Sequence, residues 1–188
     1  MKHIRIILSL IFFITTAILS QKVEERKDLK KYFDEYRHEG CFVLYDLKKD
    51  SYLKYNATIC AERFIPASTF KIFNSLVGLE TGAIKDEFEV FKWDSIKRFY
   101  DMWNQDIDMI NAFKYSAVWY YQELARRIGE EQMKHYISLN YYGNKNISGG
   151  IDKFWLDGEL RISADEQIEF LKKLYQNELK FSQRSMNI

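Results

Sequence analysis

The chain has 188 residues, of which 47% are hydrophobic, 16% aromatic and 29% charged; this excludes a disordered tail, a collagen-like fibre and a coiled coil, and fits one ordinary globular domain. Lys plus Arg number 28 against 27 Asp plus Glu, a net charge of +1, so no positive excess points to nucleic acid as a partner. Two cysteines are too few for a disulfide-stapled scaffold, and three scattered histidines, His3, His38 and His135, do not make a zinc site.

Residues 1–20 stand apart from the rest. Lys2, His3 and Arg5 form a basic start, and 6–19 is almost wholly apolar, shorter than the roughly 20 residues a bilayer span needs. The pattern predicts a secretory signal peptide cleaved near Ser20, with an uncleaved N-terminal anchor as the alternative. Cleavage implies a periplasmic or secreted protein free of the membrane. In that oxidising setting Cys41 and Cys60 either pair or remain two buried thiols.

Residues 21–39 are charged and read as a solvated helix or linker. The β-rich run 41–47, a turn at 48–50 and the alternating run 51–56 predict a hairpin. Pro66 marks a break, and 69–81 reads as a helix ending at Gly82. Residues 87–114 read as short helices and loops, 118–128 as a helix stopped by Gly129, and 130–139 as another. The segment 141–150 is rich in glycine and asparagine and must be loop. Ser163-Ala-Asp-Glu166 is a capping box opening a helix to about Leu174. Early strands followed by helices predict a mixed α+β fold. A lone hairpin is marginal in water, so the pattern calls for more strands, and none is convincing after Leu160.

Two segments share an S-x-x-K spelling: Ser51-Tyr-Leu-Lys54 and Ser68-Thr-Phe-Lys71. In a strand, positions three apart point to opposite faces, so Ser51 and Lys54 cannot cooperate. At a helix start they share a face, and the free N–H groups there add a positive field. The Ser68 N–H would supply half an oxyanion hole. A serine hydroxyl needs a base, and lysine serves as one only when desolvation lowers its pKa; Phe70, Ile72, Phe73 and Trp155 are candidates for that apolar cover. The alternative is an N-cap serine beside a surface lysine. Ser116 reads either as the N-cap of the next helix or as a second hydroxyl facing Ser68. Tyr142-Gly143-Asn144 reads as turn chemistry, and Trp155 as core packing.

In that order, Ser68-Thr-Phe-Lys71, Ser116-Ala-Val118, Tyr142-Gly-Asn144 and Phe154-Trp-Leu156 resemble the class D serine β-lactamases, or oxacillinases. Arg63-Phe-Ile-Pro-Ala67, Leu79-Glu-Thr-Gly82 and Trp155-Leu-Asp-Gly-Glu-Leu-Arg161 extend the likeness, which runs from about Gly40 to about Ser185. The resemblance implies a transpeptidase-like α+β fold: an antiparallel sheet flanked by helices, an all-helical subdomain at about 83–160 within a domain of 21–188, and the nucleophile helix between the two parts. It implies hydrolysis of a β-lactam substrate, the basis of antibiotic resistance in the family, with no metal. Ser68 would be acylated. Lys71 would be N6-carboxylated by CO2 or bicarbonate and act as general base. Ser116 would shuttle a proton, Val118 would flank the lysine pocket, and Trp155 would donate to the carbamate. Tyr142, Gly143 and Asn144 carry over as a structural motif beside the cleft.

The family also carries a Lys-Thr-Gly or Lys-Ser-Gly strand, and neither triplet occurs in this sequence. The expectation is therefore a chain truncated before its C-terminal strands, poorly folded or inactive. Two alternatives accompany it: a penicillin sensor that is acylated without turnover, and a nonfunctional remnant. No interface pattern fixes an oligomeric state.

Overall fold

A computed structural model describes residues 22–188, so the expected signal peptide lies outside the described residues. The first strand, β1 (Lys22–Glu25), falls where a helix or linker is expected; a short helix, α1 (Lys30–Glu35), follows it. The expected hairpin forms from β2 (Phe42–Asp46) and β3 (Ser51–Tyr55), turning through Asp50 at φ +47. β3 pairs antiparallel with β2 and parallel with β1, giving the order β1-β3-β2. β1 is exposed along its whole length, so it carries no buried face that periodicity would reveal.

Helix α2 (Ala57–Ala61) follows, capped by Asn56, and buries Cys60. Cys41 and Cys60 are both free thiols, and burial together with the neighbouring Cys41 pushes the Cys60 thiol up to about 12. A two-residue strand, β4 (Arg63–Phe64), leads into the 3-10 turn Ala67–Thr69 and then α3 (Phe70–Thr81), which ends at Gly82 in the left-handed region. The region read as short helices and loops holds α4 (Met109–Lys114). The helices α5 (Val118–Ile128) and α6 (Glu130–Leu139) follow as expected, hinged at Gly129.

The loop over 141–161 returns to β5 (Ile162–Ser163), which pairs antiparallel with β4. This is a strand beyond Leu160 that the sequence did not reveal: two residues are too short to show alternation. The capping box forms as expected. Ser163 Oγ accepts from the Glu166 N–H at 3.1 Å, and Glu166 Oε2 accepts from the Ser163 N–H at 2.9 Å. It opens α7 (Ala164–Tyr175), which packs on β2 and α2; α8 (Gln183–Asn187) packs on α3.

The fold is thus mixed α+β, with α3 at its centre. Phe70, Phe73, Leu76, Val77 and Leu79 of α3 are buried, and α3 packs against α5 and α6. Around the first turn of α3 the packing is aromatic. Phe70 stacks on Trp155 with centroids 5.3 Å apart and meets Phe154 and Tyr142 edge-on at 5.1 and 5.6 Å. Rings of this size bury most apolar area per residue and have few rotamers, so they hold the start of α3 firmly.

Candidate active site

Ser68 sits in the 3-10 turn that feeds α3, with its side chain open to solvent. That turn is pinned by three hydrogen bonds. The Ala67 N–H donates to the Trp155 carbonyl at 3.0 Å, and the Thr69 hydroxyl and N–H both donate to the Pro66 carbonyl, at 2.7 and 3.1 Å. Ala67 is held at φ +46, a left-handed conformation that costs an alanine of order 1 kcal/mol. Ser68 is not a capping residue: the N-cap of α3 is Thr69, without a side-chain cap bond.

Lys71, one turn further, is 4% exposed. Its ammonium donates to Ser116 Oγ at 2.7 Å, and Ser116 Oγ donates in turn to Ser68 Oγ at 3.2 Å. The three side chains form one relay. Burial draws the Lys71 amine down from its ordinary 10.5 to about 8, with no carboxylate or second cation contributing. At pH 7 about one chain in ten then holds the amine neutral, far more than for a solvated lysine.

Ser116 does not cap α5 either; that position is Ala117, with no side-chain cap bond. Ser116 itself lies at φ +55, and this left-handed turn aims its hydroxyl at Lys71 and Ser68. The Ser116 hydroxyl thus faces Ser68 and Lys71 and caps no helix. Val118 is the first residue of α5, half-buried.

Tyr142, Gly143 and Asn144 form a clasp beside these elements. Tyr142 is buried against Phe70 and Phe73, and its hydroxyl meets Gln167 at 3.2 Å. Gly143 has φ +52, and a Cβ there would collide with the Arg161 carbonyl, so only glycine fits. Asn144 receives the Arg161 N–H at 3.0 Å and donates to the Arg161 and Glu159 carbonyls at 2.8 Å each. The clasp closes the loop that carries Trp155. Trp155 is 2% exposed, and its indole N–H makes no hydrogen bond to another described residue.

Sequence reasoning missed the wall opposite the lysine. The Lys71 amine lies over the Tyr121 ring, 5.8 Å from its centroid. The Tyr121 hydroxyl is 3.2 Å from Ser75 Oγ, and its carbonyl accepts from Asn74 Nδ2 at 3.0 Å. Asn74 and Ser75 stand three and four residues beyond Lys71, on the same helix face. Two polar residues at that spacing inside an apolar helix were the available signal.

The other S-x-x-K behaves differently. Lys54 Nζ stands 2.7 Å from Asp165 Oδ1 of α7, an ion pair without an aligned hydrogen bond, and nothing joins it to Ser51.

Comparison with known proteins follows the same lines. The penicillin binding protein transpeptidase domain matches residues 15–185. "Beta-lactamase OXA-48" of Klebsiella pneumoniae is 45% identical over 185 residues, covering 96% of this chain and 70% of that protein. The crystal structure of a class D β-lactamase from Sebaldella termitidis superposes with a TM-score of 0.85 at 39% identity, covering 90% of this chain and 68% of that one. "Regulatory protein BlaR1" of Bacillus licheniformis is 41% identical over 162 residues, 86% of this chain and 27% of that protein.

Proposed function

The chain belongs to the penicillin binding protein transpeptidase domain family, among the class D β-lactamases, and we propose that in β-lactam hydrolysis Ser68 is its acylated nucleophile and Lys71 its general base. The observation that carries this assignment is the relay from Lys71 through Ser116 to Ser68, at 2.7 and 3.2 Å.

The relay supports the following sequence. Neutral Lys71 takes the Ser68 proton through the Ser116 hydroxyl. The freed Ser68 oxygen attacks the β-lactam carbonyl carbon, and the ring C–N bond breaks. Ser116 hands its proton to the departing nitrogen and is refilled from Lys71. In the second half, Lys71 takes a proton from water. The resulting hydroxide attacks the ester carbon, the ester C–O bond breaks, and Ser68 recovers its hydrogen. Such cleavage of the drug's amide is how the protein would confer antibiotic resistance.

The lysine pocket suits a carboxylated Lys71: the amine is buried and, among the described residues, pairs with no carboxylate, and the Trp155 indole N–H makes no hydrogen bond to any of them. Carboxylation would replace the amine with an anionic carbamate oxygen as the base. Trp155 would then orient the lengthened side chain with its one donor, and Val118 would help to exclude water from it.

The kinship with a regulatory protein favours one second reading, a domain that is acylated without turning over. A time course of intact mass, with penicillin added to the protein in bicarbonate buffer, separates the two. Hydrolysis predicts an adduct that forms and decays while drug is consumed, absent from Ser68→Ala. A lasting adduct would establish the second reading, and no adduct on a folded chain would overturn both.

A further inference from the structure

Lys71 does not sit in a featureless apolar slot. Its amine faces the π surface of Tyr121, whose centroid is 5.8 Å away, and Tyr121 is fully buried. The same tyrosine is fixed to the helix that carries the lysine. Its hydroxyl meets Ser75 at 3.2 Å, and its carbonyl accepts from Asn74 at 3.0 Å. Lys71, Asn74 and Ser75 follow one another at helical spacing on α3, one turn after Ser68, so the same residue of α5 both ties to that face and turns its ring toward the amine.

We infer that Tyr121 is a positioning residue for the general base: its ring sets the protonation balance of Lys71, and its ties to Ser75 and Asn74 set the register between α3 and α5 on which the relay depends. This rests on the assignment of Lys71 in the preceding section. The physical case has two parts. An aromatic face attracts an ammonium and has nothing to offer a neutral amine, so the ring opposes the effect of burial. Burial alone pulls the amine toward neutrality, and no carboxylate or second cation among the described residues acts on it. Beside the Ser116 hydroxyl, which accepts from the ammonium, the Tyr121 ring is the facing group that favours the proton, and it limits how readily the amine reacts with CO2. The register role follows from distance. Ser116 lies just before α5, and sliding α5 along α3 would open the 2.7 Å and 3.2 Å contacts together.

The test is carboxylation of Lys71, followed by the 13C carbamate signal in labelled bicarbonate across pH, which needs no substrate. Tyr121→Leu removes the ring and is expected to move the half-carboxylation point down by about half a pH unit. Tyr121→Phe keeps the ring and is expected to leave that point where the wild type has it. A merely structural tyrosine would instead weaken the signal without moving its pH midpoint. Should Tyr121→Leu fail to fold, Tyr121→pentafluorophenylalanine keeps the shape while withdrawing the negative face, and is expected to give the same downward shift. A wild-type signal with an unmoved midpoint in the ring-altered variant overturns this inference alone. A folded wild type without any carbamate signal overturns the carboxylation of Lys71 and this inference with it, while the general-base assignment is judged separately by acylation of Lys71→Met.

Discussion

The chain spells Ser-x-x-Lys twice, and the two copies end in opposite chemistry. In β3, Ser51 and Lys54 point apart, and the lysine, 16% exposed at its side chain, pairs with Asp165. At the start of α3, Ser68 and Lys71 share a face, and the lysine is buried with two hydroxyls in line and no carboxylate paired with it among the described residues. Residue type is the same in both. Backbone period decides whether the pair can meet, and burial of Lys71 is what draws its amine toward the neutral, basic form.

The largest expected consequence is kinetic. Lys71→Met should slow acylation by penicillin by about 10² to 10⁴-fold, the usual worth of a general base, whereas Lys54→Met should leave it within about twofold. Stopped-flow acylation of the two variants checks this. The next effect is the pH response. In bicarbonate-free buffer the base is the free amine, and burial has lowered its pKa to about 8. Acylation should therefore fall about tenfold for each pH unit below 8 and level off above it. A rate that is flat between pH 6 and 8 would mean that Lys71 is not the titrating base.

Stability should separate the copies by sign. The Lys71 pKa is lower in the fold, about 8, than its ordinary 10.5, so protonating it opposes folding, fully below pH 8 and not at all above 10.5. Without bicarbonate, Lys71→Met should stabilise the chain by roughly 2 kcal/mol at pH 7, an advantage that fades as pH rises from 8 to 10.5. Lys54→Met strands a largely buried carboxylate and should destabilise by about 1 kcal/mol. Urea titrations at two pH values measure both. The smallest effect concerns the backbone. Ala67→Gly relieves the φ of +46 beside the nucleophile and should stabilise by less than about 1 kcal/mol, read as a slightly higher Tm.

What was legible in the sequence follows from length and period. The hairpin, α3, α5, α6 and the Ser163 capping box each carry several residues of regular pattern or a defined cap, and each is present. β4 and β5 are two residues each, and β1 is exposed throughout, so neither period nor burial marks them. At the site, Ser68 and Lys71 were visible from spacing, while Ser116 remained open between cap and hydroxyl until its left-handed φ settled where it points. Tyr121 was hidden inside the run Trp119-Tyr-Tyr121, which reads as core, and all three rings are indeed buried. Only the facing helix distinguishes the ring that meets the lysine.

One measurement tests the contrast most directly: label the chain with a fluorescent penicillin, digest it, and map the labelled peptide. Label on the peptide holding Ser68 and none on that holding Ser51 is the expected result. Label at Ser51, or on both serines alike, would contradict the claim that helical spacing and a desolvated lysine make the nucleophile.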